Sequence, residues 1–261
     1  MSGNALTVLV VGATGSIGRL VVAEALRRGH SVRPLVRDLA RAGSLPDDAR
    51  RVVGDLTAAE SLAEALDGID AIVFTHGGDG GGKAAAEQVD YGGVRNVLRA
   101  LGGRTARIAL MTAIGVTDRT GAFNRTTQIH DWKRRGERLV RASGLPYTIV
   151  RPGWFDHQAR DQHRVRFLQG DTRHAGNPSD GVIARRQIAE VVVASLTCDA
   201  ALRKTFELVA ERGAAPIDLE PLFAALQADP PGALDAVLDS SNMPLSEEPA
   251  SVRQDLERNS A

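Results

Sequence analysis

The chain has 261 residues, 43% of them hydrophobic, enough for one large domain, or one domain with an appendage, around a sizeable core. Its 32 basic and 32 acidic side chains cancel, which excludes a global field drawing it to nucleic acid or an anionic membrane. No signal-peptide pattern opens it and no apolar run approaches the roughly eighteen residues of a membrane span, so a cytoplasmic protein is expected.

Leu6 to Val11 is a continuous apolar run that reads as a buried parallel strand. Gly12-Ala13-Thr14-Gly15-Ser16-Ile17-Gly18 follows at once. Arg19 to Arg28 then has helical spacing, with Leu20, Val21, Ala25 and Leu26 on one face. Strand, glycine turn and helix in that order are the context of a dinucleotide site. Gly12 permits the tight turn, Gly15 lets the backbone approach a diphosphate, and Gly18 lets the helix lie close on the strand. The anion would rest on the free N–H groups at the helix start.

Further strands are expected at Ser31–Arg37, Arg51–Gly54, Ala71–Phe74, Arg107–Thr112 and Tyr147–Val150. Helices are expected at 58–66, 84–101 and 131–143, the last closed by Gly144. This alternation predicts an α/β fold with a doubly wound, mainly parallel sheet covered on both faces. Gly77 to Gly82 with Lys83 nearly spells a nucleotide-hydrolase loop, but Ala84 lacks the hydroxyl that holds magnesium. It reads instead as a mobile flap at the topological switch point. The basic stretch from Arg125 to Arg141 reads as a solvated helix face.

After the core of 1–152 the rhythm breaks. Residues 153–185 are polar, with one short strand at Val165–Leu168, and read as an insertion that builds a substrate pocket. His157, His163 and His174 within it match no zinc spacing, so no metal is predicted. The core resumes over 186–212 with a helix at Arg186–Leu196 and a strand at Thr205–Val209. Between them the lone cysteine, Cys198, excludes an internal disulfide and reads as a small core residue. Residues 213–261 form a helical extension: an amphipathic helix at Leu219–Ala228, a break at Pro230-Pro231, a turn at Leu234–Leu238 and a loose polar tail of the last dozen residues.

VLVVGATGSIGRLVV, VRPLVRD, VVGDL, VDYGGVRN, LMTAIGV, KRRGERLVRASGLPYTIVRPG and TFELV together resemble the atypical short-chain dehydrogenase/reductases of the NmrA-like, NAD(P)-binding group. They keep that group's order from about Leu6 to Val209. The resemblance implies cofactor contacts at Gly12, Thr14, Gly15, Ser16, Ile17 and Thr75. It places Asp55 and Leu56 at the adenine, Lys133 at the ribose, and Pro152, Gly153 and Trp154 along the nicotinamide. Arg37 falls where NADP-preferring members place an arginine on the 2′-phosphate, and a guanidinium fork suits a phosphate. Asp38 stands near where NAD-binding proteins place an acid on the 2′-hydroxyl. With Arg33 and Arg41 adding positive charge, NADP(H) is preferred over NAD(H).

Reductases of this group use a serine or threonine, and a tyrosine four residues before a lysine. Lys133 matches the lysine, but Ile129 occupies the tyrosine position and Ala113 the serine position, with Thr112 beside it. The proton for a reduced carbonyl would then come from His130, Asp131, Thr112, a water, or an acidic hydroxyl on the substrate. His130 and Lys133, three apart, are neighbours on one helical face. Ala113, Ile114, Trp154 and Phe155 are the expected substrate contacts. Both tryptophans, Trp132 and Trp154, fall in segments that the resemblance places near the nicotinamide, which suits a flat aromatic ligand. Two functions follow. One is an NADPH-dependent reductase of an aromatic or polycyclic ketone or quinone, akin to tyrosine-less ketoreductases of angucyclinone-type polyketides. The other is a non-catalytic NADP-binding redox sensor that acts through a protein partner.

Overall fold

Val8 and Val10 pack into one hydrophobic cluster and Leu9 and Val11 into another, the period-two alternation of a strand buried on both faces. The structure, a computed structural model, describes residues 5–78 and 81–259, the Arg41 side chain apart. Its strands are β1 (Thr7–Val11), β2 (Ser31–Val36), β3 (Val52–Val53), β4 (Ala71–Phe74), β5 (Arg107–Met111), β6 (Tyr147–Pro152), β7 (Trp154–Phe155), β8 (Arg164–Leu168), β9 (Val182–Ile183) and β10 (Lys204–Glu211). They form one sheet in the order β3-β2-β1-β4-β5-β6-β10-β9-β7, with β8 antiparallel on β10. β1 to β6 and β10 are mutually parallel. The fold is the doubly wound Rossmann arrangement, and the order reverses between β1 and β4, whose carboxyl ends lie side by side.

One face is covered by α1 (Gly18–Arg27), which carries Val21, Val22 and Ala25 into the first cluster. The opposite face begins with α2 (Gly82–Ala85), a π segment (Ala86–Tyr91) and α3 (Gly92–Leu101), which together make the single helix expected over 84–101. After α4 (Ala122–Thr127), α5 (Ile129–Ala142) packs beside α3 on that face. Then α6 (Arg185–Ser195) joins α1, while α7 (Glu220–Ala224) and α8 (Ala250–Asn259) belong to the extension. Among the described residues no helix is long and apolar enough to cross a membrane.

Several elements depart from the sequence reading. Residues 58–66 make only a short 3-10 turn, Ala59–Leu62, followed by turns. The insertion contributes three strands rather than one, because β7 and β9 are two-residue pieces too short to leave a periodic signal. The helix expected at Leu219–Ala228 is cut to Glu220–Ala224. The tail is not loose: α8 buries Val252 and Leu256 in the second cluster, and Tyr91 donates to Asp255 at 2.9 Å.

The largest correction concerns the basic stretch. Arg125 is exposed, but Arg134, Arg135, Arg138 and Arg141 of α5 are buried. Each guanidinium meets an acid of the extension: Arg134 and Arg138 meet Asp235, Arg135 meets Glu248, and Arg141 meets Asp229. A buried cation is tolerable only when paired and hydrogen-bonded, so the extension completes α5 rather than decorating it.

Candidate functional site

The glycine loop is built by packing. Gly12 has φ +82°, a conformation that favours glycine, and a Cβ there would lie 2.7 Å from the His76 nitrogen. A Cβ on Gly18 would overlap the Gly12 carbonyl, so helix and strand approach only because that position is bare. Thr14, Gly15 and Ser16 are exposed, and no side chain caps the first turn of α1. The Arg19 and Val21 N–H groups donate to the Gly15 and Ile17 carbonyls, so the donors left for a diphosphate are the other N–H groups at the helix start. Thr75 closes the crevice, donating from both nitrogen and hydroxyl to the Val11 carbonyl at 2.9 and 3.0 Å.

At the end of β2, Arg37 is exposed and its charge helps hold the Asp55 carboxyl below its usual range. The larger causes there are hydrogen bonds from the Thr57 backbone and hydroxyl, each 2.8 Å. The Leu56 carbonyl accepts from Asn96 at 2.6 Å. Asp38 does not reach toward a ribose, because it caps a short turn by accepting from Ala40 at 2.9 Å. Arg33 is not available to a phosphate either. It is buried and donates to the carbonyls of Glu64, Ala65 and Asp67, tying down the turns after β3. The Arg41 side chain lies outside the described residues. Arg37 is thus the described cation of this group that faces outward.

Lys133 projects from α5 onto Asp90, its Nζ 2.6 Å from Oδ1, with both side chains almost fully enclosed. Asp90 also accepts from the Gly78 nitrogen at 3.1 Å. It sits in the π segment, whose wider turn directs Asp90 to Lys133 and its neighbour Tyr91 to α8. The rest of the glycine flap, Asp79 and Gly80, lies outside the described residues. A small cavity under Lys133 is lined by His76, Asp90, Met111, Thr112 and Gly136. Neither ring nitrogen of His76 has a hydrogen-bond partner of good geometry, and burial pushes the imidazole down to about 4, so it is neutral at pH 7.

Thr112 lines the same cavity, but its hydroxyl donates to Glu137 at 2.7 Å. Glu137 is in turn fixed by Arg151 at 2.7 and 3.0 Å, and these partners hold its carboxyl below the usual range against the opposing effect of burial. The hydroxyl proton therefore points away from any substrate. His130 is not a solvent-facing residue: its ring lies 5.2 Å from Phe123 and against Gly115, and burial lowers its pKa. Asp131 is drawn off by Asn124 and Arg119. Ile129, in the tyrosine position, is partly buried against the second cluster.

Ala113 and Ile114 lie in the loop after β5, where the Ile114 nitrogen donates to the Pro152 carbonyl at 2.9 Å. Gly153 is joined to Leu208 and Trp154 to Gly181, and β7 lies at the edge of the sheet beside β9 with Trp154 and Phe155 exposed. Trp132 does not share their surroundings. It is buried between Tyr91 and Arg135 and serves the core. His157 meets the edge of Trp154, and His174 contacts Thr117 at 3.3 Å. Cys198 is half-buried, and burial raises its thiol.

Sequence reasoning missed four residues. Asp90 stands in the VDYGGVRN stretch but was given no role, and His76 lacks any motif. Phe123 lies in an unremarked segment, and Arg185, read as the last residue of the insertion, begins α6 and donates from Nε to Ser16 at 3.1 Å. Only the position of His76 directly after a fourth strand could have flagged it.

A family model described as NAD(P)H-binding matches residues 12–199. The sanguinarine reductase of Eschscholzia californica is 28% identical over 268 residues, covering 85% of this chain and 97% of that protein. The photosystem II assembly factor Ycf39 of Synechocystis sp. is 28% identical over 210 residues, which is 79% of this chain but only 63% of that longer protein. Among solved structures, an oxidoreductase from Lactococcus lactis superposes with a TM-score of 0.66 at 19% identity, covering 82% of this chain and 94% of its own, a likeness of fold. Matched over most of its length and built on the expected crevice, the chain belongs to the NAD(P)H-binding family of Rossmann-fold proteins, within the atypical short-chain dehydrogenase/reductase and NmrA-like group that its motifs resemble.

Proposed function

We propose that the protein is an NADPH-dependent reductase of a small aromatic or polycyclic ketone or quinone that works without a tyrosine general acid. The observation that carries this reading is the enclosed Lys133–Asp90 pair at 2.6 Å, set with neutral His76 beside the crevice between β1 and β4. A fixed ammonium there is suited to a ribose hydroxyl and to the negative charge that grows on a carbonyl oxygen during reduction. The free N–H groups at the start of α1 would hold the diphosphate where bare Gly15 leaves room for it, Arg37 would hold the 2′-phosphate, and Pro152 to Trp154 the nicotinamide. When bound, the cofactor supplies the hydride.

The chain's own part is to bring the two reactants together, which accounts for roughly 7–11 kcal/mol of barrier in well-oriented reactions. Ile129 donates nothing and Thr112 is committed to Glu137. The proton for the new alkoxide therefore comes from water or from an acidic hydroxyl on the substrate. His130 with Phe123, and Trp154 with Phe155, provide apolar walls for a flat ring. Resemblance to a protein named sanguinarine reductase supports reduction of a polycyclic aromatic compound.

The test is NADPH oxidation followed at the nicotinamide absorbance with a panel of quinones and hydroxy-aryl ketones. Turnover of at least one compound is expected. Tight NADPH binding without turnover of any would favour the second reading, a redox sensor. That reading draws on the absent tyrosine and on the Thr112 proton that Glu137 takes.

A further inference from the structure

Arg185, the first residue of α6, joins three things that the sequence keeps far apart. Its Nε donates to Ser16 in the glycine loop at 3.1 Å. Its guanidinium forms an ion pair with Asp156 and lies 4.6 Å from the centre of the Phe155 ring. Asp156 follows β7, whose Trp154 and Phe155 are the exposed aromatic wall. It also has φ +66°, a left-handed conformation that costs an aspartate more than a glycine. Its backbone N–H is held by the Ile183 carbonyl at 3.3 Å and its carboxylate by Arg185.

We infer that Arg185 is a diphosphate ligand of the cofactor held in reserve by Asp156, and that its transfer to the diphosphate takes the guanidinium off the Phe155 ring and so changes the surroundings of the Trp154–Phe155 wall. The inference rests on the cofactor half of the function proposed above, and not on the substrate. Ser16 belongs to the loop that receives the diphosphate, so a guanidinium bonded to its hydroxyl is already within reach of that anion. A phosphate accepts the guanidinium fork with two oxygens and more charge than one carboxylate carries. The competing pair with Asp156 is partly exposed, the class of ion pair that contributes least, so the exchange is easy. No bond is made or broken; one ionic partner replaces another.

The experiment measures dissociation constants of the full chain for NADPH, for ADP, which has the diphosphate alone, and for adenosine 2′-monophosphate, which lacks it. Arg185→Gln is expected to weaken NADPH and ADP about tenfold or more while leaving adenosine 2′-monophosphate within about twofold. Asp156→Asn, which removes the competitor, is expected to tighten NADPH and ADP several-fold. In a Trp132→Phe background, where Trp154 is the only indole, ADP should shift the emission and adenosine 2′-monophosphate should not; the shift should vanish with Arg185→Gln. If Trp132→Phe fails to fold, subtracting the emission of Trp154→Phe from that of the unaltered chain reads the same signal.

Weaker NADPH binding by Asp156→Asn would overturn the exchange, because a purely structural latch behaves that way. Equal loss of all three ligands in Arg185→Gln would overturn the diphosphate role. An unaltered chain that binds none of the three would instead sink the cofactor reading itself.

Discussion

Arg151 on β6 and Asp239 in the extension meet as a two-pronged pair, both bonds 2.7 Å and both side chains fully buried. Arg151 also holds Glu137, so one guanidinium ties strand, helix and extension together. Removing one partner of a buried pair typically costs about 3–5 kcal/mol, because the other charge is left enclosed. Asp239→Ala is expected to lower the unfolding free energy by that amount in urea. The joint replacement Arg151→Met with Asp239→Leu should be less stable still, since it also takes from the buried Glu137 the guanidinium that bonds it at 2.7 and 3.0 Å.

Two buried groups titrate in opposite senses. Burial pushes His76 down to about 4, and burial with Asp171 nearby pushes Glu207 up to about 7 in spite of Arg151. His76 stays neutral in the fold while the unfolded chain protonates, so it lowers stability as pH falls from 6.5 to about 4. Glu207 keeps its proton in the fold while the unfolded chain loses it, so it lowers stability as pH rises from 4.5 to about 7. Each effect amounts to about 3 kcal/mol over its window, and together they nearly cancel. Glu207→Gln removes the second. Its stability relative to the unaltered chain is expected to improve by about 3 kcal/mol between pH 4.5 and 7, read from urea midpoints at several pH values.

With Arg33 buried under backbone carbonyls and Asp38 used as a cap, Arg37 alone of these three is placed to read a 2′-phosphate. A hydrogen-bonded charge pair is worth about 1.5–3 kcal/mol. Arg37→Gln should therefore weaken NADPH by roughly tenfold to a hundredfold and leave NADH within about twofold. Equal weakening of both in a calorimetric titration would refute the assignment.

The proposed function makes His130 a wall rather than an acid, on the grounds that its ring lies against Phe123 and burial lowers its pKa. A true general acid contributes about 10²–10⁴-fold. His130→Phe, which keeps a ring there, is expected to hold kcat within about threefold, whereas His130→Ala should raise KM for the aromatic substrate. A hundredfold loss of kcat in His130→Phe would restore it as the proton source.

The sheet was legible because its strands advertise themselves. The uninterrupted apolar runs of β1 and β4 and the glycines at 12, 15 and 18 are local signals. Lys133 was legible through the family resemblance, in the stretch KRRGERLVRASGLPYTIVRPG. The partners of Lys133 were not, because Asp90 reaches it only through a π turn that no local pattern announces. The buried arginines of α5 were illegible for a different reason. Read along one helix they are a polar face, and what buries them lies about 90 to 115 residues away in Asp229, Asp235 and Glu248. Pairings of that range leave no periodic trace in a single sequence. Trp132 lies in a segment that the resemblance sets near the nicotinamide, but a resemblance of segments does not say which way a side chain faces, and Tyr91 and Arg135 make it part of the interior.

The neutral total charge is an internal cancellation. Residues 229–261 carry seven acidic and two basic side chains, so the chain that precedes them has 30 basic against 25 acidic. A protease cut or premature stop near Asp229 would lay bare the Arg134, Arg135, Arg138 and Arg141 stripe, turning a neutral protein into a net cation that clings to heparin and DNA. Retention on a phosphate-bearing resin would then report a lost carboxy terminus, not a nucleic-acid partner.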